Sequence, residues 1–72
     1  MVRQERKTTR EVFQFIQKYT QQHTHPPTLR EIAEGCFLST SSVTRHLDRL
    51  EEQGRLSREV GKARGITLLK QD

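Results

Sequence analysis

Seventy-two residues with a formal net charge of +4 and a sequence pI of about 9.8 fit one small basic domain, residues 1–72, with an anionic partner. A single cysteine excludes an internal disulfide, and no apolar run approaches the ~18 residues of a membrane helix or forms a secretion signal. We therefore expect a soluble cytoplasmic protein that is not associated with a membrane.

The first predicted helix covers residues 8–22 and has one apolar stripe. The stripe residues are spaced i, i+3, i+4 and i+7, and they are Val12, Phe15, Ile16 and Tyr19. Phe13 widens the stripe. Thr8 or Thr9 supplies a side-chain acceptor that can cap the helix start. The helix must end before Pro26 and Pro27, which cannot continue it.

A short second helix is predicted over residues 28–35. Thr28 and Glu31 have the spacing of a capping box, in which each side chain bonds the backbone N–H of the other residue. Gly35 is expected to end this helix, because glycine readily adopts the backbone conformation of a helix end. At about two turns, the helix depends on tertiary packing for its stability.

The third predicted helix covers residues 39–53, with Ser39 as its N-cap and Gly54 at its end. Its apolar positions recur at 0, +4 and +7: Val43, Leu47 and Leu50. Two helices joined by a turn of about three or four residues form a helix-turn-helix. Residues 28–53 therefore predict a DNA-reading unit whose second helix lies in the major groove.

The pattern changes to alternation after Gly54, which predicts a hairpin over residues 55–69. Leu56 and Val60 are expected on its first strand, and two further apolar residues lie on the second strand: Ile66 and Leu68. Their apolar side would close the small core, and the basic tip at 61–65 would form a wing. The predicted fold class is mainly α with a small β-hairpin, a three-helix winged helix-turn-helix.

The outer face of the third helix carries polar side chains that suit base recognition. At ~100° per residue, Ser41 and Arg45 fall opposite the apolar stripe, and Ser42, Thr44 and Arg49 lie on its flanks. Hydroxyls bond bases or phosphates, and arginine favours guanine edges. Asp48 and Glu52 continue the face and would repel phosphate, so only the N-terminal half should enter the groove deeply.

Positive charge lies on either side of this unit, because residues 1–27 and 54–72 each carry +3 and residues 28–53 carry −2. Residues 1–7 form a basic arm before the first helix. Phosphate contacts supply most of the affinity, and base contacts supply most of the discrimination. The predicted backbone contacts are Arg3, Arg6, Lys7, Thr28, Arg49, Lys62 and Arg64.

Three blocks resemble the N-terminal DNA-binding domain of the LexA repressor family, in the family's order: Pro-Pro-Thr-Leu-Arg-Glu-Ile-Ala (26–33), Ser-Ser-Val-Thr-Arg-His-Leu-Asp-Arg-Leu-Glu-Glu-Gln-Gly (41–54) and Ala-Arg-Gly-Ile-Thr-Leu-Leu (63–69). The resemblance implies a winged helix whose third helix enters the major groove and whose wing, Gly61 to Arg64, lies over the backbone. The groove-reading positions it implies are Ser39, Ser41, Ser42, Thr44 and Arg45.

The chain departs from the family's pattern in two ways. The turn before Ser39 is one residue shorter than usual, which affects the angle between the second and third helices. The sequence stops where the family's linker to a self-cleaving Ser-Lys peptidase domain begins. We therefore expect no protease activity, and control by self-cleavage cannot be carried over from the family. We expect no other enzyme activity either, because the sequence has no Gly-x-Ser-x-Gly, Ser-x-x-Lys or glycine-rich phosphate-loop motif.

Each candidate also has a purely structural interpretation. The hydroxyl cluster could be a capped, solvated helix start, and Lys62 and Arg64 could belong to an ordinary charged turn. Arg45 and Arg49 have the i, i+3 spacing that would pair them with Asp48 and Glu52. A last group matches no common zinc spacing and predicts no metal site: His23, His25, His46 and Cys36. His46 is instead expected to border the core, and Cys36 to be a small buried hydrophobe.

The sequence thus predicts a sequence-specific binder of double-stranded DNA that acts as a transcriptional repressor by steric occlusion, without cofactors. Such a protein is expected in the bacterial cytoplasm, associated with the nucleoid. A weak homodimer, or pairing of monomers on DNA, would supply the two half-sites that genomic specificity usually needs. The alternatives are a winged helix that binds a partner protein, which the −2 charge of residues 28–53 keeps open, and non-specific coating of the chromosome.

Overall fold

The computed structural model describes residues 8–69 and confirms the predicted fold class of three helices followed by an antiparallel hairpin. The elements in chain order are α1 (Thr9–His23), α2 (Leu29–Cys36), α3 (Thr40–Glu52), β1 (Leu56–Arg58) and β2 (Ile66–Leu68). The predicted basic arm, with Arg3, Arg6 and Lys7, lies outside the described residues. No helix between residues 8 and 69 is long and apolar enough to cross a membrane.

Each helix begins at a hydroxyl cap that the sequence predicts. Thr8 and Thr28 both form complete capping boxes, with Glu11 and Glu31 as the reciprocal partners. Ser39 caps α3 by accepting a hydrogen bond from the Ser42 N–H at 3.2 Å. Each cap contributes about 1 kcal/mol to helix stability, which is a large share for elements of this length.

The core lies where one face of each helix meets the inner side of the hairpin. Its buried members are Val12, Phe13, Ile16, Ile32, Ala33, Cys36, Val43, Leu47, Leu50, Leu56 and Ile66. Burial of the Cys36 side chain agrees with the prediction of a small hydrophobe. His46 is half-buried at the edge of this core, as expected, and its Nδ1 atom lies 2.8 Å from the Thr9 hydroxyl oxygen.

The prediction that Gly35 ends the second helix is wrong. The helix continues through Cys36, and its C-cap is Phe37, which adopts a left-handed conformation with φ 58° and ψ 45°. A Cβ built on Gly35 would overlap the Cε1 and Cζ atoms of Phe15. The glycine is therefore required for the close approach of α1 to the last turn of α2, and not for the turn itself.

The hairpin pairs Leu56 with Leu68 and Arg58 with Ile66, and its inner residues close the core. The prediction that Val60 contributes to this apolar side is wrong. Strand β1 ends at Arg58, and the Val60 side chain is 98% exposed in the loop between the strands. The Glu59 N–H still donates to the Gly65 carbonyl oxygen at 2.9 Å, but the Glu59 carbonyl oxygen accepts the Lys62 N–H at 3.4 Å. Val60 therefore lies in the turn that follows the strand.

Candidate nucleic-acid interface

The hydroxyls of Ser39 and Ser42 are both bonded in the N-cap of α3. The Ser39 oxygen accepts the Ser42 N–H, and the Ser39 hydroxyl donates to the Ser42 oxygen at 3.2 Å. The Thr44 hydroxyl donates to the Thr40 carbonyl oxygen at 2.9 Å. These three predicted base-reading residues therefore also have a structural role, as the alternative interpretation of the hydroxyl cluster expects.

Ser41 and Arg45 differ from these residues because both are exposed and their side chains form no hydrogen bond or ion pair within residues 8–69. They are four residues apart, so they lie on neighbouring turns of one helix face. A hydroxyl and a guanidinium on one exposed strip can donate to guanine O6 and N7 and to adjacent acceptors. Of the five predicted base-reading residues, this pair has the greatest freedom to bind a ligand.

The acidic part of α3 is paired with an arginine of the hairpin. The Arg58 guanidinium contacts the Asp48 carboxylate and lies 2.8 Å from the Glu51 Oε1 atom. Burial opposes the charge of Arg58, but the hydrogen bonds that Arg58 donates to these carboxylates hold the pKa of Arg58 above its ordinary value. Asp48 is therefore not the free acid that the sequence suggests, and its expected repulsion of phosphate is reduced.

The pairs proposed within α3 do not form in the described part of the chain. Arg45 and Arg49 are exposed and have no ion pair there, whereas Asp48 turns to Arg58. Both arginines still affect their surroundings. Burial lowers the pKa of His46 below its ordinary value, and the positive charges of Arg49 and Arg45 lower it further.

A second arginine of the hairpin binds the beginning of α2. The Arg64 guanidinium forms two hydrogen bonds with the Glu31 carboxylate, at 2.8 and 3.1 Å, and donates to the Pro26 carbonyl oxygen at 2.9 Å. Glu31 also accepts from the Tyr19 hydroxyl and the Thr28 N–H. The hydrogen bond from Arg64 and that from Thr28 lower the pKa of Glu31 to about 2.

The remaining predicted phosphate-binding residues lie on different elements. Lys62 is exposed near the tip of the hairpin, with its ammonium 3.8 Å from the Glu59 carboxylate, a distance typical of a weak surface pair. Thr28 stands at the N-terminus of α2, where its hydroxyl oxygen already accepts the Glu31 N–H. Arg49 lies on the exposed side of α3. Of the two wing cations, Lys62 is thus the freer, because Arg64 is bound to Glu31.

The contacts of Arg58 with Glu51 and of Tyr19 with Glu31 are not indicated by any pattern in the sequence. Arg58 binds carboxylates seven and ten residues away, and Arg64 binds one 33 residues away. Such pairs leave no periodic signal in a sequence.

Among the described residues, no three His, Cys, Asp or Glu side chains are grouped so that they could hold a metal ion.

Comparison with known proteins extends these observations. A family model described as the LexA DNA binding domain matches residues 4–65. "LexA repressor 2" of Geobacter sulfurreducens is 45% identical over 60 residues, which cover 82% of this chain and 30% of the relative. The "LexA repressor" of Citrifermentans bemidjiense is 47% identical over 62 residues, covering 85% and 31% of the two chains.

The "LexA repressor" of Caldicellulosiruptor saccharolyticus is 40% identical over an alignment of 73 residues, which covers 100% of this chain and 36% of the relative. The chain thus spans about a third of the length of the curated relatives it matches. The matched family model covers all three helices and the first strand of the hairpin described above. The chain therefore belongs to the LexA DNA-binding domain family.

Proposed function

We propose that this chain binds double-stranded DNA sequence-specifically and represses transcription by occluding the site it occupies. In this proposal the first half of α3 lies in the major groove, as the second helix of a helix-turn-helix does. The observation that carries the proposal is the exposed, unpaired strip of Ser41 and Arg45 beside a helix start that Ser39 holds rigid. The repressor names of the relatives support it.

Base reading in this proposal falls mainly to Arg45 and Ser41. Arg45 is the candidate for a bidentate contact with guanine, and Ser41 for a single hydrogen bond to a neighbouring edge. Thr44 presents its methyl group to the groove, because its hydroxyl is bonded to the Thr40 carbonyl. Ser39 and Ser42 retain unused oxygen lone pairs, so they contribute as secondary contacts.

The phosphate grip is assigned to residues on both sides of α3. Lys62 contacts DNA phosphates from the wing, and Arg49 and Thr28 contact phosphates beside the groove. The arm residues Arg3, Arg6 and Lys7 would add to this sequence-independent attraction. Arg64 is assigned a positioning role because its guanidinium is already bound to Glu31.

One domain reaches only a few base pairs, so we propose that two copies bind half-sites about one helical turn apart. The two copies form a weak homodimer or pair only on DNA. Analytical ultracentrifugation of the free chain and of its complex with a palindromic duplex measures this stoichiometry. One chain bound per palindrome at saturation would contradict the pairing.

The central experiment is selection of preferred sequences from random duplex DNA, followed by binding of the Arg45→Ala variant to the same pool. Loss of Arg45 should relax the preference at one or two positions and cost ~1–3 kcal/mol on the best duplex. The matched control is Arg10→Ala, which removes an exposed charge beside Leu50 and Gln53 at the other end of α3. An unchanged preferred sequence for Arg45→Ala would contradict the assignment of the reading residue.

Lys62→Ala tests the other half of the proposal. Its affinity should fall by a similar factor for every duplex, and the slope of log K against log salt should become shallower by about one. Equal salt slopes for this variant and the unsubstituted chain would remove Lys62 from the phosphate contacts.

A protein-binding winged helix is the alternative from a different class, and non-specific coating is a second. The negative charge of residues 28–53 favours protein binding less once Arg58 is seen to pair with Asp48 and Glu51. The selection experiment separates all three functions. Protein binding predicts no salt-dependent DNA affinity, and coating predicts affinity without a preferred sequence.

A further inference from the structure

Phe37 combines two features that folding does not explain. Its side chain is 88% exposed, and its backbone has φ 58° at the C-cap of α2. A left-handed conformation is unusual for a bulky residue, and glycine adopts it without steric cost. An exposed phenyl ring gains little from hydrophobic burial. A glycine would therefore serve this turn better, unless the ring has a partner outside the fold.

The chain on either side of Phe37 fixes the direction in which the ring points. Cys36 is buried, and Leu38 packs against the core, so the residue between them is turned away from the core. The Phe37 and Leu38 N–H groups both donate to the Ala33 carbonyl oxygen, which holds the turn closed. The ring is thus carried on an anchored turn, which lowers the entropy cost of using it as a contact.

The same turn places the ring beside the proposed reading helix. Phe37 lies two residues before the N-cap Ser39, so their Cα atoms are at most about 7.6 Å apart at 3.8 Å per residue. The residues that follow are polar and exposed: Ser39, Thr40 and Ser41. Phe37 is thus an apolar side chain at the edge of the polar surface that the proposed function places against DNA.

We propose that Phe37 is a specificity-determining residue whose ring packs against the C5-methyl group of a thymine at the edge of the half-site. The inference rests on the proposed function and deepens it. The thymine methyl is the apolar group that the major groove presents, and phenylalanine is among the side chains that contact it. Arg45 and Ser41 would read polar base edges, while Phe37 reads an apolar group.

A protein partner for Phe37 has less support in the described surface. Protein interfaces on small domains usually need a contiguous apolar patch of several hundred Å². Two other exposed apolar residues, Leu29 and Val60, lie at a separate groove between α2 and the wing. Phe37 instead stands next to hydroxyl-bearing residues, which suits a polar ligand with one apolar group.

The test compares the unsubstituted chain with Phe37→Gly on the duplex selected for the unsubstituted chain, and on copies in which single thymines are replaced by uracil. Removing the thymine methyl at one position should weaken the unsubstituted chain about fourfold, the value of one buried methyl group. Phe37→Gly should bind the original duplex about fourfold or more weakly and be insensitive to uracil there. Its folding equilibrium constant should rise about three- to tenfold, because the left-handed strain is relieved.

Opposite changes in stability and affinity are the signature of a residue kept for binding. Phe37→Asn, which also tolerates the left-handed conformation, should show the same loss of uracil sensitivity. The control Val60→Ser removes an exposed apolar side chain from the wing loop and should leave uracil sensitivity unchanged.

Three results would overturn the inference while the proposed function stands. The first is retention of uracil sensitivity by Phe37→Gly and Phe37→Asn, and the second is an affinity of both variants equal to that of the unsubstituted chain. A fall in the folding equilibrium constant of both variants would also overturn it, because the ring would then have a role in folding. If the unsubstituted chain selects no preferred duplex, the inference and the proposed function fail together.

Discussion

Substituting Gly35 by alanine should destabilise the domain, although alanine is the better helix former. Gly35 lies in the last turn of α2, and a methyl group there would overlap the Cε1 and Cζ atoms of Phe15 and lie 3.3 Å from its Cδ1 atom. The Phe15 ring is half-buried against the core and lies 6.0 Å, between centroids, from the Tyr19 ring. The ring therefore cannot move away without losing contacts on its other side.

The size of the effect follows from two opposing contributions. Replacing glycine by alanine inside a helix stabilises it by up to ~1 kcal/mol, and less near the helix end. Adding a methyl group to a packed contact costs ~1–3 kcal/mol, because neighbouring side chains or backbone must shift. The net expectation is a loss of about 1 kcal/mol. A domain of this size has ~3–5 kcal/mol of stability, so its melting temperature should fall by about 4–8 °C.

Urea denaturation followed by circular dichroism measures this loss in a double-mutant cycle with Phe15→Leu. In the Phe15→Leu background the methyl group at Gly35 has space, so the alanine should be neutral or stabilising by up to ~1 kcal/mol. The coupling free energy between the two positions should therefore be about 1–3 kcal/mol. If Gly35→Ala raises the denaturation midpoint equally in both backgrounds, the packing explanation for this glycine is refuted.

Three further predictions concern charged groups. Folding lowers the pKa of Glu31 from 4.5 to about 2, so the stability that its ionised carboxylate contributes is complete above about pH 5 and is lost as the pH falls toward 2. Glu31→Gln should therefore flatten this part of a plot of urea midpoint against pH. Burial is the main cause that lowers the pKa of His46, so protonation of His46 favours unfolding and the domain's stability should fall as the pH drops below ~6.5. His46→Gln should remove this dependence of the urea midpoint on pH. Arg58→Gln frees Asp48 and Glu51, so it should weaken binding to all duplexes about two- to fivefold at low salt, measured by anisotropy, and less at high salt.

The helices could be predicted because their signals are local. Thr28 and Glu31 are three residues apart, and a capping box needs only this spacing to form. Ser39 and Gly54 similarly mark the ends of α3 by their own conformational preferences, and Gly54 has a positive φ of 75°. The positions of Ser41 and Arg45 on the outer face followed from helix geometry alone. Local chemistry thus predicted the elements and the candidate reading strip.

Most of the errors and omissions involve partners that are distant in sequence. Glycine is a residue type that commonly ends helices, but Gly35 instead makes room for the Phe15 ring of α1, which only the packing reveals. Val60 fits an alternating pattern, but a turn begins at Glu59, whose carbonyl oxygen accepts the Lys62 N–H, so Val60 lies in the loop. The partner of Arg64 is fixed by where the hairpin lies against α2, which no spacing rule in the sequence expresses.

The described arginines divide into two groups, and this division explains how an acidic helix-turn-helix segment can be compatible with DNA. Arg58 and Arg64 bind carboxylates of α3 and α2, which neutralises part of the −2 charge of residues 28–53 and joins the hairpin to both helices. Individual exposed pairs contribute little stability, but bidentate geometry fixes orientation. The wing is thereby held at a set position relative to Arg45, which has no ion pair within the described range. A phosphate contact from Lys62 would then determine how deeply Arg45 enters the groove.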